Sequence, residues 1–196
     1  MTKTRLEAFS DGVMAVLITI MVLDLKAPHG ADLEALRPLL PTFLVYVLSF
    51  INLGIYWNNH HHLLQVTRRI SGGVLWPNLH LLFWLSLIPF TTSWMGENEF
   101  APVPTALYGA VLLSCAIAWW ILQNCIVSVE GPQSALADAL GSDRKAKASL
   151  AMYVAAIPLA FVRPWIADAL YVTVALVWLV PDRRMESRLN HRANAV

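Results

Sequence analysis

The sequence predicts an all-α integral membrane protein with six spanning helices. Three observations lead there. Apolar residues make up 57% of the chain and charged residues 14%, against roughly 45–50% and about 25% in an ordinary soluble domain. The charges are clustered: no Asp, Glu, Lys or Arg occurs from Pro38 to Thr67, from Ile70 to Gly96, or from Phe100 to Val129. Each stretch exceeds the ~20 residues a helix needs to cross a bilayer, and apolar runs of that length are not strands.

The first helix is expected over about residues 5–25, where Gly12 to Leu23 form an apolar run behind Arg5, Glu7 and Asp11. Ionisable groups at membrane depth are costly and mark a pathway or a partner. That run carries Asp11 and Asp24 and no small-residue cleavage site follows it, so a retained helix is expected rather than a cleaved signal. The charge-free stretches supply spans two to four, over about 38–65, 72–95 and 101–129. The fifth, 148–163, holds Pro158. The sixth, 164–181, follows the tight Val162-Arg163-Pro164 connection and runs apolar across Asp168. A polar loop, 130–147, splits the helices four and two and has room for one short amphipathic turn. The charged tail from Asp182 extends the sixth helix before fraying. Residues 1–196 thus read as one six-helix domain.

Lysine and arginine set the orientation. With the N-terminus inside, Lys3, Arg5, Arg68, Arg69 and the basic residues of the 130–147 loop and the tail all lie in the cytoplasm. Only Lys26, Arg37 and Arg163 of the 14 basic residues fall outside. A multi-pass protein with both termini cytoplasmic follows. Tryptophans near span ends, Trp76, Trp94, Trp165 and Trp178, suit the interface, whereas Trp119 and Trp120 sit mid-span and suggest packing.

Composition also narrows function. A net charge of +1 implies no nucleic-acid partner. Cys115 and Cys125 stand on one helix, about 15 Å apart at the helical rise. They cannot bridge each other and read as small core residues. No nucleophile elbow, phosphate loop or paired catalytic carboxylates appear, so no enzyme and no cofactor are expected. The run His60-His61-His62 raises the question of a metal. Tandem histidines point in different directions on a helix, and the others (His29, His80 and His191) are isolated, so no metal site is expected.

On a helical wheel with Val16 at zero, Thr19 falls at about 300°, Leu23 at about 340°, Gly12 at about 320° and Ile20 at about 40°. These form one stripe, apolar except for a hydroxyl. Asp11 falls at about 220°, roughly opposite. Two readings of the stripe stand side by side. It faces lipid or a neighbouring helix, with the threonine bonded to its own i−4 carbonyl. Or copies from several subunits line a narrow pore, in which hydroxyls replace part of a cation's hydration and aliphatic rings form a dewetting gate. Arg5 and Asp11 need polar partners. Trp57, Asn58, Asn59, His60, His61 and His62 near the end of the second span, and Asn78 and His80 near the start of the third, lie at the same membrane face. A buried polar network is expected there, acting as glue between helices or in contact with ions.

The motif Arg5-x-x-x-Phe9-Ser10-Asp11, leading into an aliphatic helix with Thr19, resembles the signature of the transmembrane protein 175 family. These are the endolysosomal potassium channel and its prokaryotic relatives. The likeness continues in Tyr56-Trp57-Asn58-Asn59-His60-His61 and in Trp76-Pro77-Asn78 leading to Leu87-Ile88-Pro89-Phe90-Thr91. It covers about the first hundred residues.

The resemblance implies a single-repeat prokaryotic member in the plasma membrane, a homotetramer in the lipid bilayer passing monovalent cations with a preference for K+. It places the first helix around the pore and the constriction at Val16, Thr19 and Leu23, with no carbonyl filter. It assigns support of the pore helix to Arg5, Phe9, Ser10, Asp11, Trp57, His60, His61 and Asn78. One departure is Val16, smaller than the leucine or isoleucine of many members. The alternative function is a proton leak or proton-coupled cation transporter using Asp11, Asp24 and the histidines. The absence of a carboxylate from the stripe favours the channel.

Overall fold

The structure is a computed structural model that describes residues 2–67, 70–131 and 144–179. The described residues with regular structure are all helical. Helix α1 (Lys3–Ile20) is capped by Thr2, whose hydroxyl accepts from the Arg5 amide at 3.4 Å. The expected single helix to residue 25 instead tightens into a 3-10 turn over Met21–Asp24. Thr19 donates back to the carbonyls of Ala15 and Val16, both at 3.0 Å. Such back-bonding bends helices, and a 3-10 turn is a common way to satisfy the last carbonyls of an α-helix.

A second 3-10 stretch, Leu33–Leu39, leads into α2 (Leu40–Val66), with Pro41 in the first turn where no backbone donor is needed. The third span breaks into α3 (Gly72–Ser86) and α4 (Ile88–Glu97). Pro89 cannot donate to the Leu85 carbonyl, which the Leu87 amide takes instead. A tight turn follows, with Glu99 and Phe100 in the left-handed region at φ 49° and 60°. The Phe100 amide closes it on Met95 O at 3.1 Å. Then come α5 (Pro102–Glu130), α6 (Arg144–Val162) and α7 (Pro164–Leu179). Residues 144–147, expected in the loop, are the first turn of α6. The expected amphipathic turn and the charged tail lie outside the described residues.

Five segments are long and apolar enough to cross a membrane: Lys3–Asp24, Leu33–Val66, Gly72–Glu97, Pro102–Glu130 and Arg144–Val162, with Pro164–Leu179 a shorter apolar helix. The chain is membrane-embedded. Helix α5 is the central post, packed on α3, α4, α6 and α7; α2 lies on α4, and α1 rests on α2 and α3. Leu53, Leu81, Leu85, Met95 and Leu112 are fully buried where these helices meet.

Two glycines allow close approach, which membrane helices exploit because lipid gives them little hydrophobic drive to associate. A Cβ on Gly96 would meet the Thr42 backbone at 2.5 Å, and one on Gly109 would overlap the Tyr171 hydroxyl. Beside them, Ser49 bridges Thr92 at 2.6 Å and Tyr108 at 3.0 Å, tying α2, α4 and α5 together. Tyr171 on α7 donates to the Thr105 carbonyl on α5 at 3.1 Å. Of the mid-span tryptophans, Trp119 packs edge-on against Tyr56, while Trp120 is 61% exposed and does not. Cys115 is buried, and Cys125 points its thiol at the Gly73 carbonyl at 3.4 Å.

Candidate functional site

Helix α1 has two faces of different chemistry. Leu6, Ser10, Met14, Leu17 and Met21 are buried against the rest of the protomer. Gly12, Val16, Thr19 and Leu23 point away from it. Val16 is 59% exposed and Leu23 73%, and a Cβ on Gly12 would meet nothing. The 3-10 turn rotates Leu23 by roughly 60° relative to a continuous α-helix, at three residues per turn. It remains on the outward side, exposed, while Met21, about two thirds of a turn away at that pitch, is buried. The Thr19 proton is committed to the helix carbonyls, so its oxygen presents lone pairs outward and acts as an acceptor only. An apolar column with one ring-forming oxygen is the chemistry this face offers.

The inward face is a polar seam. Helices α1 and α2 run antiparallel, and their contacts step at four residues on each strand of the seam. Lys3 Nζ donates to the Gln65 carbonyl at 3.1 Å, Glu7 pairs with His61 Nδ1 at 3.3 Å, and Asp11 accepts from Trp57 Nε1 at 3.1 Å. Trp57 stacks on His61 within the same ladder. Deeper in, Asn78 of α3 links the two other helices. Its amide nitrogen donates to Ser10 Oγ at 2.9 Å and its oxygen meets His60 Nε2 at 2.8 Å. Ser10, His60 and Asn78 all have zero exposure. These bonds fix both the height and the rotation of α1, and so decide which residues face outward.

Six of the eight residues expected to support the helix meet in this seam: Ser10, Asp11, Trp57, His60, His61 and Asn78. Arg5 and Phe9 do not. Arg5 is exposed and its guanidinium bonds no described residue, while Phe9 is 49% exposed. Of the other candidates, His80 accepts from Trp84 on its own helix, and His62 keeps a buried Nδ1 with no partner among the described residues. Among the described residues no three metal-ligating side chains converge. Glu7 was missed. Its signal was its spacing: Glu7 and Asp11 share a face four residues apart, as do Trp57 and His61.

Comparison with known proteins turns this geometry into a family. Residues 5–89 match the pattern of the family described as endosomal/lysosomal potassium channel TMEM175. A solved structure, of a lysosomal potassium-selective channel TMEM175 homolog from Chamaesiphon minutus, superposes with a TM-score of 0.79. It is 26% identical, over 91% of this chain and 96% of that one. A potassium channel of a Chryseobacterium species is 53% identical over 96% of this chain and 98% of its own length. The chain belongs to the TMEM175 family. An endosomal/lysosomal proton channel TMEM175 from Gallus gallus is 33% identical over 61% of this chain, a match that spans 26% of the chicken protein. The stretch that matches the TMEM175 pattern contains α2, α3 and α1 from Arg5 onward, and so every rung of the seam except Lys3. Helices α5 to α7 lie beyond it, with α5 as the post on which α3, α4, α6 and α7 pack.

Proposed function

We propose that the chain is a potassium-preferring cation channel, a homotetramer whose four α1 helices surround a central path narrowed at Val16, Thr19 and Leu23. The observation that carries this is the outward stripe on α1. Among the described residues that face of the helix has no partner in the protomer, while the opposite face is bonded firmly enough to hold it in register. Small residues on the stripe, Gly12 and Ala15, let helices approach closely around an axis. Stacked rings of Val16 and Leu23 offer a permeating ion no coordination and act as a dehydration barrier. The ring of Thr19 oxygens between them replaces part of the lost water. Potassium holds its water less tightly than sodium, so such a barrier favours it without a carbonyl filter.

The seam residues act as positioning groups, and Arg5 and Phe9, exposed on the protomer, complete that support across the contact with a neighbouring subunit. No catalytic chemistry is assigned, and the permeant ion is the partner this path is built for. The chain sits in the plasma membrane of a prokaryote with both ends in the cytoplasm, as the distribution of its lysines and arginines favours. The names of the bacterial relatives support the potassium reading. The chicken relative's name favours a second one, proton conduction, and the Glu7–His61 pair beside α1 is the feature that would serve it. The test is flux from liposomes holding the purified protein. The channel reading expects potassium-driven uptake well above sodium-driven uptake. A pH change that tracks neither cation, with no potassium flux, would establish the proton reading instead.

A further inference from the structure

A cavity of 410 Å³ lies between α2, α5, α6 and α7, with no lining residue from α1. It falls in the ~300–1,000 Å³ range of ligand-sized pockets. Its wall is layered. Farther from the helix ends it is lined by apolar groups such as Ala116 and Ile117, and by Asn52, whose amide nitrogen donates to the Leu48 carbonyl of its own helix. Toward the helix ends it turns polar: Asn59 and Gln123 each stand seven residues before the end of their helix, and Lys147 lies in the first turn of α6. Seven residues are about 10 Å of helix, so these groups sit just inside the membrane boundary. Gln123 is only 7% exposed and lines the cavity, and its amide is not among the enclosed polar atoms that lack a partner. The amide is therefore open to the cavity, where it can bond a polar occupant at that height. At the mouth Lys147 is exposed, with Arg144 one turn earlier on the same helix. Trp120, 61% exposed, flanks the opening.

We infer that this cavity holds one chain of an anionic phospholipid, with its ester oxygens on the Gln123 and Asn59 amides and its phosphate at Lys147. Apart from Asn52, whose amide nitrogen is spent on its own helix, the wall runs from Ala116 and Ile117 through the Gln123 and Asn59 amides to Lys147, the order of groups along such a lipid from tail to head. Basic pockets between spanning helices are known stations for anionic headgroups. A zwitterionic lipid would bring its own cation to a mouth that already holds Lys147 and Arg144, and a free anion would leave the apolar depth empty. The site is separate from the α1 stripe, so it stands or falls apart from the ion-path reading.

The test is native mass spectrometry of the full-length assembly after incubation with equal phosphatidylglycerol and phosphatidylcholine. The wild type is expected to retain phosphatidylglycerol selectively. Lys147→Gln should cut that retention about fivefold, the worth of one basic residue near an anionic lipid, and Gln123→Leu should cut it as well. Ala116→Trp should fill the apolar depth and remove both lipids. Because Lys147 is exposed, its substitution leaves folding intact and keeps the test decisive if the tryptophan variant fails to fold. Equal retention of the two lipids, or retention unchanged in Lys147→Gln, overturns the inference. So does an Ala116→Trp variant that loses its oligomeric state but keeps its lipid, because a neighbouring subunit would then be the occupant.

Discussion

Asn78→Leu is the sharpest test of the seam. The side chain is fully buried and holds two bonds, to Ser10 at 2.9 Å and to His60 at 2.8 Å. Interhelical hydrogen bonds in membranes are worth about 0.6 kcal/mol on average and up to about 1.7. Leucine keeps the branched skeleton, but its methyls need about 3.5–4.0 Å where hydrogen bonds now stand. Some overpacking therefore adds to the loss of two bonds, which sets a floor of about 1.2 kcal/mol on that scale. The variant also strands the Ser10 hydroxyl and the second nitrogen of His60, whose Nδ1 already lacks a partner among the described residues. An orphaned buried group costs about 1–3 kcal/mol, so the total should reach about 2–3 kcal/mol. Equilibrium unfolding by denaturing detergent measures it. Ser10→Ala should cost less in the Asn78→Leu background than in the wild type, because its partner is already gone. Strict additivity of the two, to within about 0.3 kcal/mol, would show that the bond couples nothing and would refute the seam as the device that orients α1.

Two further outcomes follow from packing. Gly109→Val should destabilise the protomer by about 1–3 kcal/mol, as overpacking does, because the new side chain displaces the Tyr171 ring and its bond to Thr105; thermal unfolding of the purified protein reads this. Gly12→Leu should leave the protomer fold intact, since a side chain there meets nothing within it, yet should break the oligomer in size-exclusion chromatography. An intact oligomer would place α1 away from the assembly axis.

Much of this was legible in the residues because the membrane enforces it. Charge-free stretches become helices, since a backbone in hydrocarbon must bond to itself. The outward stripe was legible from the wheel, because Val16 and Thr19 sit in regular α-helix. Leu23 needed coordinates: the change to 3-10 geometry depends on how the end of α1 meets its own carbonyls. The break at Leu87 was signalled by Pro89, but proline in a membrane helix also kinks without breaking, so the sequence alone left it undecided. The polar network was expected at the right end of the right helices, yet its wiring was not. Partner choice depends on helix rotation, which selected Trp57 from the candidates for Asp11 and turned Arg5 and Phe9 outward. The Ser49, Thr92 and Tyr108 cluster left no trace in spacing. Hydroxyls in apolar helices usually bond their own carbonyls, as Thr92 also does to Ile88 at 2.7 Å.

The central claim is that the exposed face of α1 is the ion path, and the reversal potential of Val16→Asn addresses it most directly. Potassium is placed on one side of a bilayer and sodium on the other, with the wild type and the variant compared. Asparagine at Val16 replaces an aliphatic ring with groups that can coordinate an ion and hold water. The account predicts a larger current and a reversal potential shifted toward equal permeability of the two cations. An unchanged current with an unchanged reversal potential, from a variant that still assembles, would mean that ions cross somewhere other than along this helix.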